Sequence, residues 1–192
     1  MSAVLVEAGP DKGAVWHFGE PVKEQRALEA GTAWADLSHH NIIAVSGADR
    51  LKWLHDLTTQ FVSDLQPGVW MPNMILDAKG HIEFQFNLVD DGTTTFLVLD
   101  PGYSEQLIEY LTKMKFMLRV EVKDASDEYA VLRAPGAPTA IGGPFALVPR
   151  NEVEEMKKTF GGVATQVGTW AMDAERVAAH RPRIGFETDH KS

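Results

Sequence analysis

The sequence predicts an α+β fold, and three observations carry the prediction. The run Ile82-Glu83-Phe84-Gln85-Phe86-Asn87-Leu88 alternates apolar and polar residues, the period of a strand with one buried face. Turn chemistry brackets it, Asp77-Ala78-Lys79-Gly80 before and Asp90-Asp91-Gly92 after, with further apolar stretches beyond each turn. Lone helical patterns stand on either side, an order of strand runs mixed with single helices rather than βαβ alternation.

The elements follow from these signals. Ile42–Val45 is a short apolar strand. Ser46-Gly47-Ala48-Asp49 resembles a helix start with an acid in the first turn, and Leu51, Leu54 and Leu57 then recur at helical spacing. The meander covers 69–76, 81–89 and 94–99, with Pro72 marking its first strand as an edge or bulged one. Asp100-Pro101 is expected to open the next helix, Asp as cap and Pro at the first position, with Leu107, Ile108, Leu111 and Met114 as its stripe. Short strands are expected at 120–122 and 129–132. Asn151 and Glu154 suggest a capping box before Val153, Met156 and Phe160, and a last helix follows Gly168-Thr169. Its stripe is read as Trp170, Ala171, Ala174, Val177 and Ala178. The Pro/Gly-rich segment 134–138 reads as a loop, and the chain divides into a first subdomain, 1–125, and a second, 126–192.

Composition narrows the function. Of 192 residues, 18 are Lys or Arg and 27 Asp or Glu, giving a net charge of −9. That balance opposes sequence-independent nucleic-acid binding, which needs cations against phosphates. With no Cys, this stretch has no disulfide, thiolate nucleophile or Cys-ligated metal. No apolar run reaches the roughly 18 residues of a membrane helix, and the N-terminus lacks the features of a signal peptide. The expectation is a soluble cytoplasmic protein with no membrane partner.

Phosphate-loop, nucleophile-elbow and dinucleotide-binding motifs are all missing. His39 and His40 are adjacent and would point to different faces of a regular element, so no metal site is expected. Trp53 and Trp70 are expected as core or interface aromatics. Glu83, Gln85 and Asn87 form a polar row that is either a solvated sheet face or the lining of a cleft that hydrogen-bonds a polar heterocycle. Arg176, His180, Arg181 and Arg183 are the densest basic cluster in an acidic chain. They read as a solvated helix face or as an anion site, and a helical wheel aims Arg176 away from the apolar stripe.

Several segments, in order, resemble the glycine-cleavage T-protein (aminomethyltransferase) superfamily. Trp34-Ala35-Asp36-Leu37-Ser38-His39 is similar to its F-D-L-S-H entry, and Val45-Ser46-Gly47-Ala48-Asp49 to its v-x-G-x-D helix start. Leu57 to Leu65 with Pro67-Gly68, Leu76 to Ile82, Gly168 to Val177 and Ile184 to Asp189 resemble later segments. Where T-proteins carry a pair of aspartates, this chain has Phe84 and Gln85, and the stretch 141–149 lacks the Glu that contacts the folate pterin in T-proteins. A phenyl ring and an amide cannot act as a carboxylate base. These departures resemble the YgfZ-like branch, and the chain ends before the position of that branch's K-G-C-Y-x-G-Q-E segment, as an N-terminal fragment with an incomplete second subdomain would.

The resemblance implies a duplicated α+β fold of antiparallel and mixed sheets with a central channel, and tetrahydrofolate as the ligand. It implies a role in iron–sulfur cluster assembly or repair that reaches tRNA modification indirectly, with iron–sulfur proteins as partners and no direct nucleic-acid contact. Asn73, Met74, Glu83 and Gln85 are the expected channel residues, and Arg176 the expected contact for the folate tail. Two alternatives stand beside this reading: a folate-dependent aminomethyltransferase using Glu83 as a displaced carboxylate, and a binding module that takes no folate.

Overall fold

A computed structural model describes residues 2–189. The elements in chain order are β1 (Val4–Leu5), β2 (Val15–His17), α1 (Pro21–Glu29), β3 (Ala33–Asp36), β4 (Asn41–Ser46), α2 (Arg50–Leu57), β5 (Met71–Leu76), β6 (Ile82–Asp90), β7 (Thr94–Leu99) and α3 (Ser104–Met114). They continue with β8 (Glu121–Asp124), β9 (Tyr129–Arg133), β10 (Phe145–Pro149), α4 (Val153–Gly161), β11 (Thr165–Val167) and α5 (Thr169–Ala178). The mixed α+β class is as the sequence predicts.

The chain divides into two compact units, and not by a single cut near residue 125. The first is built from residues 1–40 and 127–182, the second from 41–126 and 183–192. The reason is strand pairing. β3, from the N-terminal segment, pairs antiparallel with β9 and parallel with β11, so it is locked into a four-stranded sheet ordered β10-β9-β3-β11. The pattern of short strands before residue 40 is too brief to announce this from sequence.

The second unit holds the meander. Its five-stranded sheet runs β5-β6-β7-β4-β8, entirely antiparallel. β5 is an edge strand, where Pro72 removes no ladder donor that the sheet needs. One face is buried under α2 and α3 by Ile43, Val45, Ile75, Phe86, Leu88, Leu97 and Leu99 from the strands and Trp53, Leu54, Leu107 and Leu111 from the helices. Trp53 is a core residue, 4% exposed.

Three helix starts differ from expectation. α3 begins at Ser104, not at Pro101. Gly102 has φ +94°, which no right-handed helix accommodates, and the Asp100 carboxylate is bonded to Arg183 instead of capping. Asp49 stands at the N-cap of α2 but makes no cap bond; it accepts from the Arg119 backbone N–H and guanidinium. Likewise α4 follows a 3-10 turn at Arg150–Glu152 with no side-chain cap bond; Glu154 pairs with Lys157 at 3.1 Å.

In the first unit, Leu28, Ala33, Ala35, Val167 and Ala171 form a small, alanine-rich core between α1, α5 and the sheet. Gly168 sits where a Cβ would lie 2.2 Å from the Trp16 carbonyl oxygen, so only glycine lets α5 start there. Val153, Met156 and Phe160 of α4 pack on Ala130, Leu132 and Val148.

Candidate functional site

The central strand β6 places its residues by register. Opposite residues on antiparallel strands share a face. Ile75 stands opposite Phe84, Asn73 opposite Phe86 and Met71 opposite Leu88, so all six face the helices. Met74 stands opposite Gln85 and Pro72 opposite Asn87, and these four face the other way. The expected group therefore splits. Asn73 is 2% exposed on the core side. Its amide donates to Thr58 Oγ1 at 2.8 Å, and its oxygen accepts from Thr59 Oγ1 at 3.1 Å and from the Met74 N–H at 2.9 Å. That amide fastens the segment after α2 to the sheet.

Glu83 also departs from strict alternation. The pairing passes from Ile75 with Phe84 to Leu76 with Ile82, so a β-bulge leaves Glu83 without an opposite residue. Glu83 is exposed, and burial together with the Glu83 carboxylate pushes the Tyr110 phenol pKa up. Phe84, at the first expected aspartate position, is packed with its ring 5.7 Å from that of Tyr110. Gln85, at the second, accepts the Ile184 backbone N–H at 3.0 Å. Ile184 is buried, and Arg183 beside it forms a two-point pair with Asp100 (Nε to Oδ2 2.6 Å, Nη2 to Oδ1 2.9 Å) and lies over the Phe186 ring. The segment 183–189 thus anchors on the Gln85 side of the sheet. Sequence reasoning missed this because a backbone N–H carries no residue-type signal.

Arg176, in the first unit, is not aimed at solvent. Its Nε donates to Asp173 at 2.7 Å and the side chain is 15% exposed. The buried face of α5 is Ala171 and Glu175, while Trp170 and Val177 are exposed. The expected stripe is rotated because a glutamate occupies the inner position. Glu175 is buried against Arg133, which is fully enclosed; the two meet at 3.3 Å, and Arg181 approaches the other Glu175 oxygen at 3.6 Å. Burial pulls the Arg133 pKa down, while Glu175 acts the other way. The basic cluster read from sequence is thus divided among acids: Arg176 with Asp173, Arg181 with Glu175, Arg183 with Asp100.

The structure of glycine cleavage system aminomethyltransferase T from Bartonella henselae matches with a TM-score of 0.81 at 17% identity, covering 99% of this chain and 62% of that one. The chain has a T-protein-like fold. It spans less than two thirds of that relative's length, and at this identity the likeness extends to the fold. No protein-family model and no curated protein matches the chain. Among the described residues, no helix is long and apolar enough to cross a membrane.

Proposed function

We propose that this chain binds a tetrahydrofolate without catalysing aminomethyl transfer, and that it serves iron–sulfur proteins in the manner of the YgfZ-like branch, in the cytoplasm. The observation that carries the second half of the folate reading is what stands at the two expected aspartate positions. One holds a ring packed on Tyr110, the other an amide bonded to a backbone N–H. Neither can take up a proton from a reacting amine.

The residues present fit a folate as a ligand. A pterin is flat, with alternating donors and acceptors along one edge. Met74 offers an apolar surface beside Gln85, whose oxygen holds the Ile184 N–H while its amide nitrogen is a donor, and Glu83 offers an exposed carboxylate acceptor at the bulge. Asn73 supports these residues by fixing the loop behind β5. Arg176, the tail contact that the resemblance implies, is bonded to Asp173 within the first unit.

Titration calorimetry with tetrahydrofolate tests the reading. Gln85→Leu removes one neutral hydrogen bond, about 0.5–1.5 kcal/mol, so affinity falls roughly 2- to 12-fold. A lipoyl-carrier turnover assay gives no product above background. Absence of tetrahydrofolate binding makes the chain a non-folate module. Because Glu83 is an exposed carboxylate beside these positions, an aminomethyltransferase using Glu83 is the second reading; robust turnover abolished in Glu83→Gln establishes it and removes the first.

A further inference from the structure

The first unit contains a cluster that the folate reading does not use. The turn between β1 and β2 carries Asp11, and the turn after β3 carries His39 and His40. One ligand atom from each of the three lies within 4.8 Å of the others. We propose that Asp11, His39 and His40 form a binding site for a divalent first-row metal ion, with Zn²⁺ as its representative occupant.

Adjacent histidines diverge on a strand, but these two are not on one. β3 ends at Asp36, and the chain turns with the His40 N–H donating to the Leu37 carbonyl at 3.0 Å and the Ser38 N–H to Asp36 Oδ1 at 3.0 Å. The turn is held further by Arg150, which donates to the Ser38 carbonyl at 2.8 Å. Both rings therefore fall on one side, their centroids 4.7 Å apart and edge to face. The β1–β2 connection is equally fixed. Gly9 and Gly13, both at φ +87°, bend it, with Lys12 N–H bonded to the Gly9 carbonyl and Gly13 N–H to that of Val6. This delivers the Asp11 carboxylate, 3% exposed, to within 2.9 Å of His39 Nε2.

The donor set suits the proposed ion. Two imidazoles and one carboxylate are the ligands of open zinc and non-haem iron sites, which leave a position for water. Zinc bonds of about 2.0–2.2 Å to N and O put tetrahedral ligand atoms about 3.3–3.5 Å apart. The present spread closes to that by rotation of side chains whose backbones are already placed. A carboxylate buried at this depth gains from a cation, and in a chain of net charge −9 the field favours its entry.

The test uses the full chain without a histidine tag, freed of metal by chelation and dialysis, with ZnCl₂ titrated calorimetrically and CoCl₂ followed by visible absorption. The proposal expects one ion per chain, a Co²⁺ spectrum of low coordination number, and a melting temperature that rises with added Zn²⁺. Asp11→Asn, His39→Gln and His40→Gln each lower affinity by more than the roughly 10- to 100-fold of an outer-shell partner. His81→Gln, in the other unit, leaves it unchanged. His40→Gln leaves the Asp11–His39 hydrogen bond in place, so its loss of Zn²⁺ affinity reports on the third ligand. Should Asp11→Asn fail to fold, the wild-type Co²⁺ spectrum and the His40→Gln titration decide. No stoichiometric ion in the wild type, or equal affinity in wild type and His40→Gln, overturns the proposal. It stands apart from folate binding, and neither result bears on the other.

Discussion

Asp90 ends β6 with a side chain 1% exposed, and both of its oxygens are used twice. Oδ2 accepts Arg50 Nε at 2.8 Å and Thr95 Oγ1 at 2.5 Å; Oδ1 accepts Arg50 Nη2 at 2.8 Å and the Gly92 N–H at 2.7 Å. Asp90→Asn keeps the volume but converts one oxygen into a donor. Whichever way the amide sits, its NH₂ meets two donors, and the Arg50 guanidinium loses its counter-charge. Removing one partner of a buried pair costs about 3–5 kcal/mol. For a chain of this size each kcal/mol lowers the melting temperature by about 2–4 °C, so the loss is about 6–20 °C. Urea unfolding followed by Trp fluorescence and circular dichroism measures it. Replacing Arg50 and Asp90 together by apolar residues is then less harmful than the single changes predict in sum, because no charge is left buried alone. A change within about 0.5 kcal/mol for Asp90→Asn, the range of an ordinary surface site, refutes the view that this pair secures the end of the meander.

Further outcomes follow from the same geometry. Burial alone would raise the Asp90 and Asp36 pKa values, but Arg50, Thr95 and Gly92 for the one and Lys157 and Ser38 for the other hold both below the ordinary value. Their contribution is present above the unfolded carboxylate pKa of about 3.9 and is lost as pH falls through the lower folded values. Melting temperature should therefore be level from neutral pH to about 5 and drop below 4, and the acid limb should shrink in Asp90→Asn. Gly47→Ala places a Cβ 2.0 Å from the Arg119 carbonyl oxygen at φ +111°; strain of this kind costs about 1–3 kcal/mol or more, read as a lowered urea midpoint. Arg176→Ala lowers tetrahydrofolate affinity about tenfold to a hundredfold, a charged hydrogen bond of about 1.5–3 kcal/mol, with the melting temperature nearly unchanged. A collapse of melting temperature with unaltered affinity makes the Asp173 pair its whole role.

The meander was legible because each strand carried its own signal. Alternation over 82–88 and the turn residues at either end locate β5, β6 and β7 to within two residues at either end. The strands β1, β2, β3 and β11 have two to four residues each, too few to show a period of two. Their existence depends on partners distant in sequence, as when Thr165 to Val167 pair with Ala33 to Ala35. The failed helix start at Asp100 has the same origin. Locally it is a good cap, and a residue 83 positions away, Arg183, competes for the carboxylate and wins with two charged hydrogen bonds.

Site residues were legible only as far as local regularity held. Gln85 and Met74 face together as alternation requires, but Asn73 follows the same rule to the opposite face, and the bulge removes Glu83 from the count. On α5 the helical wheel treats glutamate as an outer residue, and the enclosed Arg133 guanidinium reverses that at Glu175. His39 and His40 show the converse case. A strand or helix would have separated their rings; the turn closed by His40 N–H on the Leu37 carbonyl brings them together, and the Asp11 carboxylate arrives from a hairpin 28 residues away. Asn73 and Glu175 are both polar and buried. Burial of a polar group demands a partner, and that partner, lying far along the chain, determines where the side chain goes more strongly than the periodicity of its own element.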